Sequence, residues 1–106
     1  RSSDVFLGLP INIATYATVC HILAKVTGMV PRRLIYMGGD VHLYSNHVEH
    51  AKVLVSRESK PLGTFDITDS KLDFHAGQWD LLDPYTLMSS LTGYTHWPRI
   101  AVKISV

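Results

Sequence analysis

Apolar positions recurring every three to four residues pick out a helix over residues 11–26, with Ile13, Tyr16, Ala17, Cys20, Leu23 and Ala24 on one stripe. Gly28 stands where the C-terminal cap of that helix calls for it, and Pro10 suits its first turn, where the missing N–H costs nothing. Ahead of the helix, Val5, Phe6 and Leu7 read as a short strand that Gly8 ends in a tight turn. After Pro31, residues 34–37 read as a second strand. Gly38-Gly39-Asp40 then marks a bend or bulge before the alternating Val41-His42-Leu43-Tyr44, which places His42 and Tyr44 on one face.

Asn46 with Glu49 three residues on resembles a capping box, opening a second helix whose apolar stripe is Val48, Ala51, Leu54 and Val55 and whose end falls near residues 56–59. Residues 65–67 are strand-like, and the pattern then thins out as far as residue 80. Asp83-Pro84 is a helix start, an N-cap followed by proline at the first position, with Gly93 as its stop. Residues 100–106 read as an extended tail. No repeat, low-complexity tract or linker interrupts the chain. The expectation is one unit, residues 1–106, of mixed α/β (α+β) class, with helices packed on a mixed sheet.

Composition adds limits. With 46% hydrophobic and 18% charged residues, the 106-residue chain has enough apolar side chain for a packed fold. A domain of this size buries only roughly 60–65% of the surface its unfolded chain exposes, so its core is expected to be completed by something else. A net charge of +1, ten basic against nine acidic residues, gives no overall field toward nucleic acid or membrane. The five aspartates between residues 66 and 83, against Lys71 alone, read as a solvated loop. Cys20 has no partner for an intramolecular disulfide and lies amid apolar residues, as an inert buried thiol in a reducing, cytoplasmic setting would. No stretch of about 18 uninterrupted apolar residues is present, and Arg1-Ser2-Ser3-Asp4 is no signal peptide. The first residue is Arg rather than Met and falls directly in a motif, from which a fragment, a processed piece or a split product is expected.

Candidate chemistry is sparse when read from residues alone. His42, His47 and His50 are close in sequence, but no second cluster of Cys, Asp or Glu supplies metal-site spacing, so no metal is expected. Neither a nucleophile elbow nor a glycine-rich phosphate loop occurs. What stands out is a set of polar groups where the chain bends or should be buried. Arg1 beside Ser2 offers a guanidinium and a hydroxyl suited to a phosphate. Asn12, among apolar neighbours, offers one acceptor and two donors, which is what a nucleobase edge needs. His42 and Tyr44 share a face. Each has a plain structural explanation as well: an end residue in a salt bridge, a helix cap, a satisfied half-buried pair. Residue by residue, the pattern reaches a mixed α/β domain with a polar cleft.

Longer segments carry more. Arg1-Ser2-Ser3-Asp4-Val5-Phe6-Leu7-Gly8-Leu9-Pro10-Ile11-Asn12-Ile13-Ala14-Thr15-Tyr16 resembles the stretch that thymidylate synthases usually write RSCDVFLGLPFNIASY. Gly38-Gly39-Asp40-Val41-His42-Leu43-Tyr44-Ser45-Asn46-His47 resembles their GGDxHLYxNH motif, and Gly93-Tyr94 onward is similar to their C-terminal segment. The resemblance covers nearly the whole chain apart from roughly residues 60 to 85.

The resemblance implies the C-terminal part of the thymidylate synthase fold and a reductive methylation, dUMP plus 5,10-methylenetetrahydrofolate giving dTMP plus dihydrofolate. It implies that Arg1 and Ser2 bind the nucleotide phosphate, that Asn12 pairs with O4 and N3 of uracil, and that His42 and Tyr44 hydrogen-bond the 3′-hydroxyl. Asp4 would meet the pyrimidine through its N–H and the pterin through its carboxylate, with Leu7 and Gly8 lining the folate site. The tail ending at Val106 would fold over the complex. The cysteine nucleophile lies upstream in the family, in a Pro-Cys-His context that nothing here matches. No catalytic residue is therefore expected in this chain; an N-terminal portion would supply it within a homodimeric assembly. Ile11 and Ser3 depart from the family's usual Phe and Cys. The alternatives are a hydroxymethylase of the same fold, of which only the cytidine version is disfavoured, or a non-catalytic interaction or RNA-binding remnant, against which the absence of a basic stripe argues.

Overall fold

In the computed structural model, which describes residues 2–68, 72–73, 78–79 and 83–104, regular structure begins not with the apolar run but just before it. Strand β1 is Ser3–Asp4, and helix α1 follows at Gly8–Thr27. Between them Asp4 Oδ1 accepts from the N–H of Phe6 at 3.0 Å, a local turn that steers the chain into the helix. Val5, Phe6 and Leu7 are consequently turn residues rather than a strand, and Gly8 is the first helical residue rather than a turn after one. At its far end α1 stops where expected. Gly28 adopts φ 68, which favours glycine, and the Met29 N–H bonds back to the Ala24 carbonyl at 2.8 Å. Its 20 residues are also long and apolar enough to cross a bilayer, a test that core helices pass too.

The chain divides into two compact units. The first comprises Arg1–Tyr16, Ile35–Ser59 and Trp97–Val106. Here β1 pairs in parallel with β2, Val41–His42, in the register Ser3 to Val41 and Asp4 to His42. A 3-10 turn over Ser45–His47 leads into α2, Val48–Val55, which ends on Ser56. The helix does not start from Asn46, the cap position that the sequence pattern predicts. The 3-10 turn moves the caps to Tyr44 and His47, neither of which caps with its side chain, and Glu49 pairs with Lys52 at 2.7 Å. Residues 34–37 have no regular structure: a strand requires a paired neighbour, and the run's own pattern cannot supply one.

The second unit comprises Ala17–Leu34 and Lys60–His96. Strand β3, Thr64–Phe65, pairs antiparallel with β6, Leu91–Thr92, and β4, Leu72–Asp73, with β5, Gln78–Trp79. Helix α3, Pro84–Ser89, starts as its sequence dictates: Asp83 Oδ2 accepts from the Thr86 N–H at 2.9 Å, with proline at the first position. It ends on Ser90, before Gly93. Gly93, at φ 68, closes β6 instead. His21 meets Phe65 edge to face, and Lys25 donates to the Thr68 carbonyl.

Helices with both parallel and antiparallel pairing make the chain mixed α/β, as its pattern implies. Among the described residues, buried apolar side chains are few, Ala24 and Ile67, whereas Ile11, Tyr16 and Leu23 of α1 are 68%, 64% and 55% exposed. The extended tail forms no strand over residues 100–104, where Ile100 and Val102 are half-buried and Ala101 and Lys103 are exposed.

Candidate functional site

The parallel ladder of the first unit brings together segments almost forty residues apart. Ser3 N–H donates to the Asp40 carbonyl at 2.8 Å and Val5 N–H to that of His42 at 3.0 Å. Successive amides of a strand point to opposite edges, so the N–H of Asp4 is directed away from β2. Asp4 thus stands opposite His42 with its amide toward the other edge and one carboxylate oxygen engaged by Phe6. A Cβ on Gly8 would lie 3.7 Å from that of Asp4, so the start of α1 abuts the same strand. Leu7 and Gly8 are half-buried beside it.

From His42 a line of rings continues into α2. His42 meets Tyr44 at 5.0 Å, edge to face, and Tyr44 meets His47 at 5.8 Å. Phe6 lies 5.4 Å from His47 and 6.4 Å from His50. Edge-to-face contacts at such separations fix ring orientation, so Tyr44 is held by rings on two sides. The alternation read from residues 41–44 is realised: His42 and Tyr44 are half-buried, Val41 and Leu43 exposed. His42 Nδ1 is 3.7 Å from Asp40 Oδ1, an ion pair only when the imidazole is protonated. The Tyr36 hydroxyl donates to Ser3 Oγ at 2.8 Å. No three His, Cys, Asp or Glu side chains converge as a metal site requires among the described residues.

The sequence profile described as Thymidylate synthase matches residues 1–106, the whole chain. The chain belongs to the thymidylate synthase family. It is similar to "Probable thymidylate synthase" of Escherichia phage T5, 44% identical over 107 residues that cover 99% of this chain and 37% of that protein. It is also similar to "Thymidylate synthase" of Enterobacteria phage T4, 56% identical over 62 residues, 58% of this chain and 22% of that protein. The chain thus spans well under half the length of either curated relative. No solved structure matches.

Of the residues that the thymidylate synthase resemblance singles out, Asp4, Leu7, Gly8, His42 and Tyr44 are gathered around the β1–β2 ladder. Ser2, just before β1, is exposed. Asn12 is exposed too and is the fifth residue of α1, so it is not that helix's cap. Arg1 and Val106 lie outside the described residues. Cys20, half-buried, belongs to the part of α1 in the second unit.

Sequence reasoning passed over Phe6, Tyr36 and the buried His47. Phe6 and Tyr36 carry no signal beyond their hydrophobicity, and His47 enters the sequence reading only with His42 and His50, as a metal cluster that lacks the spacing. The place of His47 at the end of the second motif was the available clue.

Proposed function

We propose that this chain is the nucleotide- and folate-binding part of a thymidylate synthase, acting on dUMP and 5,10-methylenetetrahydrofolate to give dTMP and dihydrofolate. The observation that supports this best is the register of β1 on β2, which sets Asp4 opposite His42 and so brings the two long motifs side by side. His42 and Tyr44 bind the 3′-hydroxyl, for which an imidazole and a phenol supply both donor and acceptor. Asp4 offers its amide to the pyrimidine and its carboxylate to the pterin, beside Leu7 and Gly8. Arg1 and Ser2 take the phosphate, and Asn12 the O4 and N3 edge of uracil. The tail ending at Val106 covers the bound pair.

In the family's reaction the nucleophile that adds at C6 of uracil is a cysteine thiolate. Cys20 is the single cysteine of these residues and sits inside α1. In this reading a separate N-terminal portion supplies the nucleophile and covers the exposed Ile11, Tyr16 and Leu23, within a dimeric assembly in the cytoplasm. The 37% of the phage T5 relative that the chain spans leaves room for such a portion.

The test is complementation. The chain is mixed with a separately made N-terminal portion of a relative, and tritium release from C5-labelled dUMP is followed, with mass spectrometry separating dTMP from a hydroxymethylated product. Release is expected only from the mixture, with dTMP as product. Activity of the chain alone would refute the division of labour, and a hydroxymethyl product would refute the reductive step.

A further inference from the structure

The most deeply buried polar side chain among those described is that of His47, 1% exposed, at the end of the motif that carries His42 and Tyr44. Burying an imidazole is unfavourable unless its nitrogens find partners. Its Nε2 lies 2.8 Å from the carbonyl of Lys103, 56 residues away. A carbonyl only accepts, so Nε2 carries the proton and donates. Nδ1 is then the bare nitrogen, and it is buried without a hydrogen-bond partner. The ring itself is held between Phe6 and Tyr44.

Residues 97–104 have no regular structure. Hydrogen bonds tie this segment to other parts of the first unit, among them that of His47 and one from Trp97 Nε1 to the Glu58 carbonyl at 2.9 Å. Ile100 and Val102 add modest half-burial between them. The His47 bond holds the distal end.

We propose that His47 is a positioning residue that latches the C-terminal segment to the motif carrying Tyr44, through a single Nε2–H donated to the Lys103 carbonyl. The latch deepens the reading of His42 and Tyr44 as nucleotide-binding residues, because the ring that holds the segment also packs on Tyr44. Displacing Tyr44 disturbs the donor, and releasing the segment frees the ring behind Tyr44. His47 touches no substrate in this scheme; it sets the position of what does.

Trypsin reads the latch directly, because the bond it cuts after Lys103 contains the carbonyl that His47 holds. Two substitutions separate donor from ring. His47→Phe keeps a ring between Phe6 and Tyr44 but has no donor, whereas His47→Gln loses the ring but places an amide N–H near the position of Nε2. Cleavage after Lys103 is measured in the full chain relative to cleavage after Lys52. Lys52 lies within α2, so that ratio separates local release from unfolding.

His47→Phe is expected to raise the ratio about ten-fold, on the scale of one lost hydrogen bond, with His47→Gln within about three-fold of the parent. The reverse order, Gln released and Phe protected, overturns the proposal in favour of ring packing. Equal ratios in all three proteins overturn it as well. No nucleotide is present in the digest, so its outcome is independent of whether the chain binds dUMP.

Discussion

Gly38 opens the second motif, and the space around it is already filled. A Cβ there would stand 2.3 Å from Val41 Cγ2, 2.7 Å from the Tyr36 hydroxyl and 3.0 Å from Tyr36 Cε1. Carbon pairs prefer about 3.5–4.0 Å, so in Gly38→Ala the valine methyl must retreat by more than about 1 Å. Valine is stiff about χ1, and leaving its rotamer costs about 0.5–1.5 kcal/mol. The tyrosine can swing away, but its hydroxyl then gives up Ser3, an exposed hydrogen bond contributing roughly 0.5–1 kcal/mol. Together these make about 1–2.5 kcal/mol, within the usual range for overpacking. The strain falls on β2, whose register sets His42 against Asp4. Thermal unfolding of the mutant is expected to shift down by roughly 5–15 °C, and on the proposed function dUMP binding weakens with it. Val41→Ala removes the colliding methyl, so Gly38→Ala/Val41→Ala should recover about 1 kcal/mol relative to the sum of the single changes. A Gly38→Ala protein as stable as the parent, or a double mutant whose losses simply add, would refute the steric argument.

Asp83→Ala removes the N-cap of α3 and should cost about 1 kcal/mol, seen as a lower Tm; Asp83→Asn should cost little, since the amide oxygen still accepts from Thr86. Asp66 is held below its ordinary carboxylate value first by the Thr68 hydroxyl and then by the Thr68 N–H. The small stabilisation from this depressed pKa is present above the ordinary value and is lost as pH falls through the lowered one. Thr68→Ala removes the larger cause, so the Asp66 titration followed by NMR should move upward, and an unmoved curve would exclude the hydroxyl. In the complemented enzyme, Asn12→Asp turns the side chain into an acceptor for a 4-amino group, so kcat/KM should shift from dUMP toward dCMP by a factor of about 5–100. An unchanged ratio with both activities retained would remove Asn12 from the base site.

Features set by a few adjacent residues were readable in the sequence, and features set by pairing were not. Gly28 ends α1 and Asp83-Pro84 starts α3 because each rests on local chemistry, a left-handed residue or a side-chain acceptor three positions ahead. His42 and Tyr44 share a face because period two is local as well. The first strand was misplaced because the Asp4 side chain, by turning the chain at Phe6, starts the helix earlier than the apolar pattern does. Residues 34–37 have a strand's composition without a strand's partner. The pairing of β1 with β2, which unites Asp4 and His42, was not legible, since no periodicity joins segments so far apart; the two long motifs implied only that both residues serve one nucleotide.

The apolar stripe of α1 carries the same lesson into energetics. Periodicity indicates that Tyr16 and Leu23 belong against other atoms, and it does so whether those atoms lie in this chain or another. In the described structure they are 64% and 55% exposed, and Ile11 is 68% exposed. Covering a side chain of this size contributes about 1.5–3 kcal/mol when burial is complete, so three of them, already more than half open, represent several kcal/mol of unrealised stabilisation. That is comparable to the whole stability of a small domain. A sequence pattern therefore specifies an apolar face without specifying its cover, and the complementation assay tests the proposed cover and the proposed source of the thiolate together.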